Sequence, residues 1–236
     1  MGYACRDNKE YLPQEFYLAR KLCQYLYSKF PEDGKTQVTF DKENNTVMGA
    51  VASFNNVPQK VLFEGILNFF KIPEFKYNLL GGFPGPLANP AGDWSVGSFD
   101  ADTGLTGRKI VVDNYGPQIE VGGGAFSGKD ATKVDRTGAY YARYLAVRDL
   151  LDTPKAVSVK VKMAFAIGWP RPVMLTHEVE FEDGNIMKFS QDMMSGDSSD
   201  RGTVAGMIKM FNLREPNFER TAEWGAFGNG FAWDKF

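Results

Sequence analysis

The sequence predicts an α+β protein in which helices lie on one side of mostly antiparallel sheets. Two observations lead there. In the front third, a run with helical apolar spacing is followed by two alternating runs joined by a polar turn, and then by a second helical run. In the rear third, a long helical run precedes two further alternating runs and a short helical one.

Taken in order, residues Gly2 to Tyr11 are polar and predicted to be extended. From Pro13 to Phe30, the residues Phe16, Leu18, Leu22, Cys23, Leu26 and Tyr27 recur at helical spacing, and Pro31 ends the run. Thr36 to Asp41 alternates, with Val38 and Phe40 on one face, and the turn Lys42-Glu43-Asn44-Asn45 leads into Thr46 to Phe54, a β-hairpin. From Val57 to Ile72, Val61, Leu62, Ile66, Leu67, Phe69 and Phe70 form a helical core stripe. Lys76 to Gly107 is rich in Gly and Pro, which predicts a long irregular segment of the kind that often carries function.

The β-branched content of Arg108 to Asp113 predicts a strand, on which Arg108 and Lys109 point to opposite faces. Thr132 to Leu151 reads as the longest helix, ended by Asp152-Thr153-Pro154. Residues Val157 to Ile167 alternate strictly as a half-buried strand, with Lys160 and Lys162 on its solvated side. After the turn Gly168-Trp169-Pro170-Arg171 comes a partner strand, Pro172 to Glu182, whose inward set includes His177, the chain's only histidine and by position a core residue. Asp183-Gly184 turns the chain, Met187 to Asp200 shows little pattern, Arg201 to Leu213 holds a short helix, and the aromatic, Gly-rich tail from Trp224 is expected to pack back on the body.

Composition narrows the classes. A length of 236 residues with 43% hydrophobic content can bury a sizeable core. The net charge of −2 argues against nucleic-acid binding through bulk charge, so any anion affinity has to come from local basic clusters. Cys5 and Cys23 are too few for a disulfide framework, the start is polar, and no apolar run reaches the length of a membrane span. These features make a soluble, cytoplasmic protein the expectation, without nucleic-acid or membrane partners.

The stretch with the most chemistry is Gly122-Gly123-Gly124-Ala125-Phe126-Ser127-Gly128-Lys129-Asp130-Ala131-Thr132-Lys133-Val134-Asp135-Arg136. Glycines let backbone N–H groups approach an anion, and the following helix start adds its positive dipole end. Lys129 and Lys133 would share one face if the helix begins near Asp130, and Asp135 could hold a divalent metal riding on phosphates. Gly123 to Lys129 has P-loop spacing, but Asp130 stands where Ser or Thr would meet Mg²⁺, and the strand-like run ends well upstream. A second reading leaves the loop as a helix cap, with Thr132 and Asp135 as a capping-box-like pair and both lysines solvated.

Gly104-Leu105-Thr106-Gly107-Arg108-Lys109-Ile110-Val111-Val112-Asp113-Asn114-Tyr115-Gly116, followed by the glycine loop through Arg136, resembles the signature region of S-adenosylmethionine synthetases (methionine adenosyltransferases). The resemblance extends to Met1-Gly2-Tyr3-Ala4, Lys35-Thr36-Gln37-Val38-Thr39, Phe165-Ala166-Ile167-Gly168 and Phe227-Gly228 to Trp233. Val57 to Pro90 is similar only loosely, and Val121 stands where the family usually has His before the glycines.

The resemblance implies repeated β-α-β-β domains in a pseudo-threefold arrangement, here divided as residues 1–97, 98–140 and 141–236, and incomplete without a partner segment. It implies that Asp33 binds ribose hydroxyls, that Trp94, in place of the usual Phe, stacks on adenine, and that Ile167 contacts adenine. Asp102 would receive the methionine amino group, with Lys133 also near methionine. Lys35, Arg108, Lys129 and Lys133 would meet the polyphosphate as the catalytic cations, with Lys109 also at the ATP site and Asp135 as a metal ligand. The implied substrates are ATP and L-methionine, and the implied cofactors are Mg²⁺, two ions in the family's pattern, and K⁺.

The family's His-Pro-Asp-Lys and Gly-Asp-Gln-Gly motifs do not occur in the chain. With a Met at the start and an open frame to Phe236, the expectation is one subunit of a split synthetase in a symmetric hetero-oligomer, active with a second polypeptide that supplies the leading segment. The alternative is a catalytically incomplete regulatory or nucleotide-binding subunit that associates with a synthetase.

Overall fold

The computed structural model describes residues 1–77, 85–191, 200–215 and 218–235. Its elements, in order, are β1 (Gly2–Cys5), α1 (Gln14–Lys29), β2 (Gly34–Asp41), β3 (Thr46–Phe54), α2 (Gln59–Phe69), β4 (Gly85–Ala88), α3 (Ser98–Ala101), α4 (Ile110–Asp113), α5 (Val134–Asp152), β5 (Ala156–Phe165), β6 (Pro172–Phe181), β7 (Ile186–Ser190), α6 (Val204–Met210) and α7 (Phe218–Glu223). The chain divides into two compact units, one of Gln14–Leu105 and one of Met1–Pro13 with Thr106–Phe236. The expected α+β class, with mostly antiparallel sheets, is what the structure contains.

In the unit Gln14–Leu105, β2 and β3 form the expected antiparallel hairpin, with Lys35 opposite Ser53 and Val38 opposite Ala50. Tyr17, Leu18, Leu22 and Leu26 bury the inner stripe of α1, while Leu62, Ile66 and Phe69 do the same for α2. Thr36 ties the sheet to α1 by donating its hydroxyl to the Ala19 carbonyl at 2.7 Å. β4 adds to β3 in parallel, from Gly49 opposite Gly85 to Ala52 opposite Ala88. Its composition, Gly-Pro-Leu-Ala, hid it in a segment read as irregular, and an edge strand is where a proline without an N–H is tolerated. The glycines and proline at 81, 82 and 84 lie outside the described residues.

In the other unit, an antiparallel sheet runs β1-β5-β6-β7. The helix α5 packs on β1 and β5. Val159, Val161, Leu175 and Val179 are buried, the inward set that strict alternation requires. Arg143 of α5 is wholly buried and gathers both chain ends, donating to the carbonyls of Tyr3, Tyr11 and Glu10 and to the Asp234 carboxylate at 2.9 Å. The aromatic tail returns as expected, with the Trp233 ring stacked 3.8 Å from Tyr140 and the Phe227 ring 4.6 Å from Tyr115. Burial of each such ring contributes about 1.5–3 kcal/mol.

Four expectations need correction. Arg108 to Asp113 is not a strand: residues 106–109 are turns and Ile110–Asp113 is one helical turn, α4. Strand propensity takes effect only against a neighbouring ladder, none of the described strands pairs with this segment, and Val112 stays 63% exposed. The long helix begins at Val134, so Lys129 lies in the loop and shares no helix face with Lys133. The strand read to Ile167 ends at Phe165, because the Trp169 N–H bonds to the Ala166 carbonyl and turns the chain. Finally, Ile186–Ser190 forms an edge strand that runs into Met187 to Asp200, the segment read as unpatterned, of which residues 192–199 lie outside the described set.

Candidate functional site

The glycine loop stands on α5. Lys133 is the helix's N-cap position and offers no side-chain cap, so the capping-box reading of Thr132 with Asp135 is not what forms. Thr132 turns back on Asp130, whose Oδ1 accepts both its backbone N–H at 2.7 Å and its hydroxyl. Asp135 faces the loop, where Oδ1 accepts the Gly124 N–H at 2.7 Å and Oδ2 meets Lys129 Nζ at 2.7 Å. The hydrogen bond from Lys129, and then that from Gly124, holds the Asp135 carboxyl below its ordinary pKa despite partial burial. A Cβ on Gly124 would sit 2.9 Å from Lys129 Nζ, the movable end of a flexible side chain, whereas Gly123 is held at φ +80° with Asp135 Oδ1 2.8 Å from where its Cβ would stand.

The turn that presents Lys129 runs from Phe126 to Lys129, closed by the Lys129 N–H on the Phe126 carbonyl at 3.1 Å. Gly128 sits at φ +80°, the position where such a turn needs a left-handed residue. Lys133 is exposed, with its ammonium 3.5 Å from the Thr132 hydroxyl. The resulting surface has two lysines, exposed loop amides and two carboxylates, Asp130 held by Thr132 and Asp135 by Lys129, a set suited to a polyanion that brings its own cation.

Of the other residues singled out in this unit, Arg108 and Lys109 are exposed in the turn before α4, and Ile167 is fully exposed beyond β5. Asp102 belongs to the Gln14–Leu105 unit, is exposed, and accepts the Gly104 N–H at 2.8 Å.

In the Gln14–Leu105 unit, Asp33, Lys35 and Trp94 gather at one end of the hairpin. Lys35 and Ser53 are cross-strand partners and so share a face, and the Ser53 hydroxyl accepts the Trp94 indole N–H at 3.1 Å. The half-buried Trp94 thus lies beside Lys35. Asp33 accepts the Ser98 N–H at 2.9 Å through its carboxylate and the Asn55 N–H at 2.8 Å through its carbonyl.

The organiser of this corner is Asn89, to which sequence reasoning gave no role. It is 1% exposed at φ +38°. Its amide accepts from the Phe54 N–H at 3.0 Å and donates to the Val57 carbonyl at 2.8 Å and to Asp93 at 3.1 Å. Its signal in the sequence was the turn-forming Asn-Pro pair. In the other unit, sequence reasoning gave Arg136 no role of its own, because no side-chain partner can be read from spacing.

Mg²⁺ fits these residues in one way. Among the described residues, no group of three or more His, Cys, Asp or Glu side chains could hold a metal ion. Mg²⁺ takes few protein ligands when phosphates supply the rest, and Asp135, now held by Lys129, is a carboxylate that could serve as one.

Comparison with known proteins is consistent across sequence and structure. Residues 96–235 match the model of the S-adenosylmethionine synthetase C-terminal domain. The chain is 35% identical to the S-adenosylmethionine synthase of Mesoplasma florum over 99% of its own length, and it spans 65% of the length of that relative. Its fold superposes with a TM-score of 0.78 on the solved structure of an unusual S-adenosylmethionine synthetase from Campylobacter jejuni, at 29% identity, covering 99% of this chain and 67% of that one.

Proposed function

Since the chain belongs to the S-adenosylmethionine synthetase family, we propose that it carries the polyphosphate-binding part of a methionine adenosyltransferase. The observation that carries the reading is the loop clasp of Lys129, Asp135 and the Gly124 amide. Lys129 and Asp135 hold each other at 2.7 Å with about a third of each side chain exposed, so a ligand with phosphate oxygens and a bound cation can exchange for both partners at once.

In the proposed reaction, the methionine sulfur attacks C5′ of ATP, the C5′–O bond breaks, and triphosphate leaves before it is hydrolysed to phosphate and diphosphate. The thioether is already an uncharged nucleophile and needs no base. What the reaction demands is stabilisation of the leaving polyanion, which Lys35, Arg108, Lys129 and Lys133 would supply, with Lys109 beside them. Bound Mg²⁺ would neutralise phosphate charge, with Asp135 as its protein ligand; K⁺ is expected from the family alone. Asp33 would take the ribose, Trp94 and Ile167 the adenine, and Asp102 with Lys133 the methionine. The half-exposed indole of Trp94 beside Lys35 supports the nucleotide end of this assignment.

The rest of the family's catalytic set, including its histidine, belongs in this proposal to a second polypeptide in a symmetric hetero-oligomer, and the division at 97/98 and 140/141 belongs to the same proposal. Exposed apolar side chains support it: Phe99 and Leu105 are 82% and 75% exposed. The test is to supply the chain with ATP, methionine, Mg²⁺ and K⁺, alone and co-expressed with a polypeptide carrying the His-Pro-Asp-Lys and Gly-Asp-Gln-Gly motifs. S-adenosylmethionine formed only in the second case is the expected result. Failure in both sends the chain to the regulatory class.

A further inference from the structure

We infer that Arg136 is a positioning residue for the polyanion site, acting through Lys129; this rests on the reading of the glycine loop given above. Arg136 lies in the first turn of α5 and is 3% exposed. Its Nε and Nη2 donate to the Phe126 carbonyl at 3.1 and 2.7 Å. That carbonyl also accepts the Lys129 N–H and closes the turn Phe126–Lys129. The guanidinium therefore grips the one oxygen on which the placement of Lys129 depends.

The Phe126 ring is held edge-on to Tyr140 and Phe227, at 5.6 and 5.9 Å, so the grip is anchored to the core. Behind the guanidinium, its Cζ stands 4.0 Å from the centre of the Phe218 ring. Among the described residues no carboxylate pairs with Arg136, and its remaining polar neighbour is the neutral hydroxyl of Tyr140. A neutral donor would hold a carbonyl at less cost than a buried cation without a carboxylate partner does. The fork fixes the turn, and its charge adds to the field above it.

The test uses the full chain and inorganic tripolyphosphate with Mg²⁺, titrated calorimetrically. Arg136→Lys keeps the charge and loses the fork; Gly128→Ala strains the same turn at φ +80° without meeting any atom within 4 Å. Each is expected to weaken tripolyphosphate binding about tenfold, and each to add nothing further in a Lys129→Ala background, because residues acting as one unit are not additive. A role in folding alone would lower the unfolding midpoint and leave the double-mutant effects additive, which would overturn the inference. Should Arg136→Lys not fold, Arg136→Gln, which keeps one neutral donor, is combined with Lys129→Ala in its place. If the unaltered chain fails to bind tripolyphosphate, the reading of the loop as an anion site falls, and this inference with it. If the unaltered chain binds but the effects add, only the inference falls.

Discussion

Trp94 is the residue whose role can be tested with light. Its indole N–H is fixed on Ser53 while the ring stays half exposed, an arrangement that leaves a π-face for a base. Taken as the difference between the chain and Trp94→Phe, the Trp94 part of the emission should be quenched by saturating ATP; an unchanged difference spectrum would remove Trp94 from the nucleotide site. The lysines and Asp135 stood out in the sequence because a glycine-rich loop before a helix offers backbone amides to an anion, and the structure brings Lys129 and Asp135 together. Arg136 and Asn89 were not, because what matters at both is the backbone group each one reaches. Arg136 meets a carbonyl ten residues back and Asn89 an amide thirty-five residues back, and neither partner has a side-chain signature.

Helix α5 and strand β6 are joined by a polar pin. His177, 1% exposed and on the apolar face as its position in the alternation requires, holds Asp149 of α5 with Nδ1 2.5 Å from Oδ2, and its ring stacks on Phe189 of β7. Burial pushes the Asp149 carboxyl up, but the bonds from His177 and Arg148 outweigh it and hold its pKa below the ordinary value. A carboxyl depressed in the folded state contributes stability above its unfolded pKa, near 4, and that contribution is lost as pH falls through the folded value. Asp149→Asn is therefore expected to lower the unfolding midpoint at pH 7 and to flatten its fall below about pH 4. An unaltered acid limb in the variant would show that the pin carries none of this dependence. Among the elements themselves, α1, the β2–β3 hairpin and β5 were legible because each buries one face and its period shows it. β7 was not, since all five of its residues are exposed. The segment 108–113 misled because Ile-Val-Val has strand propensity, and none of the described strands lies in a ladder with it.

At the scale of the molecule, the α+β class followed from the order of helix and hairpin patterns, and the family from motifs spread over nearly the whole chain. The division into the units Gln14–Leu105 and Met1–Pro13 with Thr106–Phe236 was not readable, because β1 joins a sheet whose other strands begin more than 150 residues later. Pairing across such a separation leaves no local pattern. Asp33, Lys35, Trp94 and Asp102 lie in one unit, and Arg108, Lys129, Lys133, Asp135 and Ile167 in the other. The most direct measurement is the rate of S-adenosylmethionine formation by the chain reconstituted with the segment carrying the two absent motifs, compared with the same complex bearing Lys129→Ala. The account predicts a fall of about a hundredfold or more, the usual cost of removing a group that stabilises developing negative charge. An unchanged rate in the variant complex would contradict it.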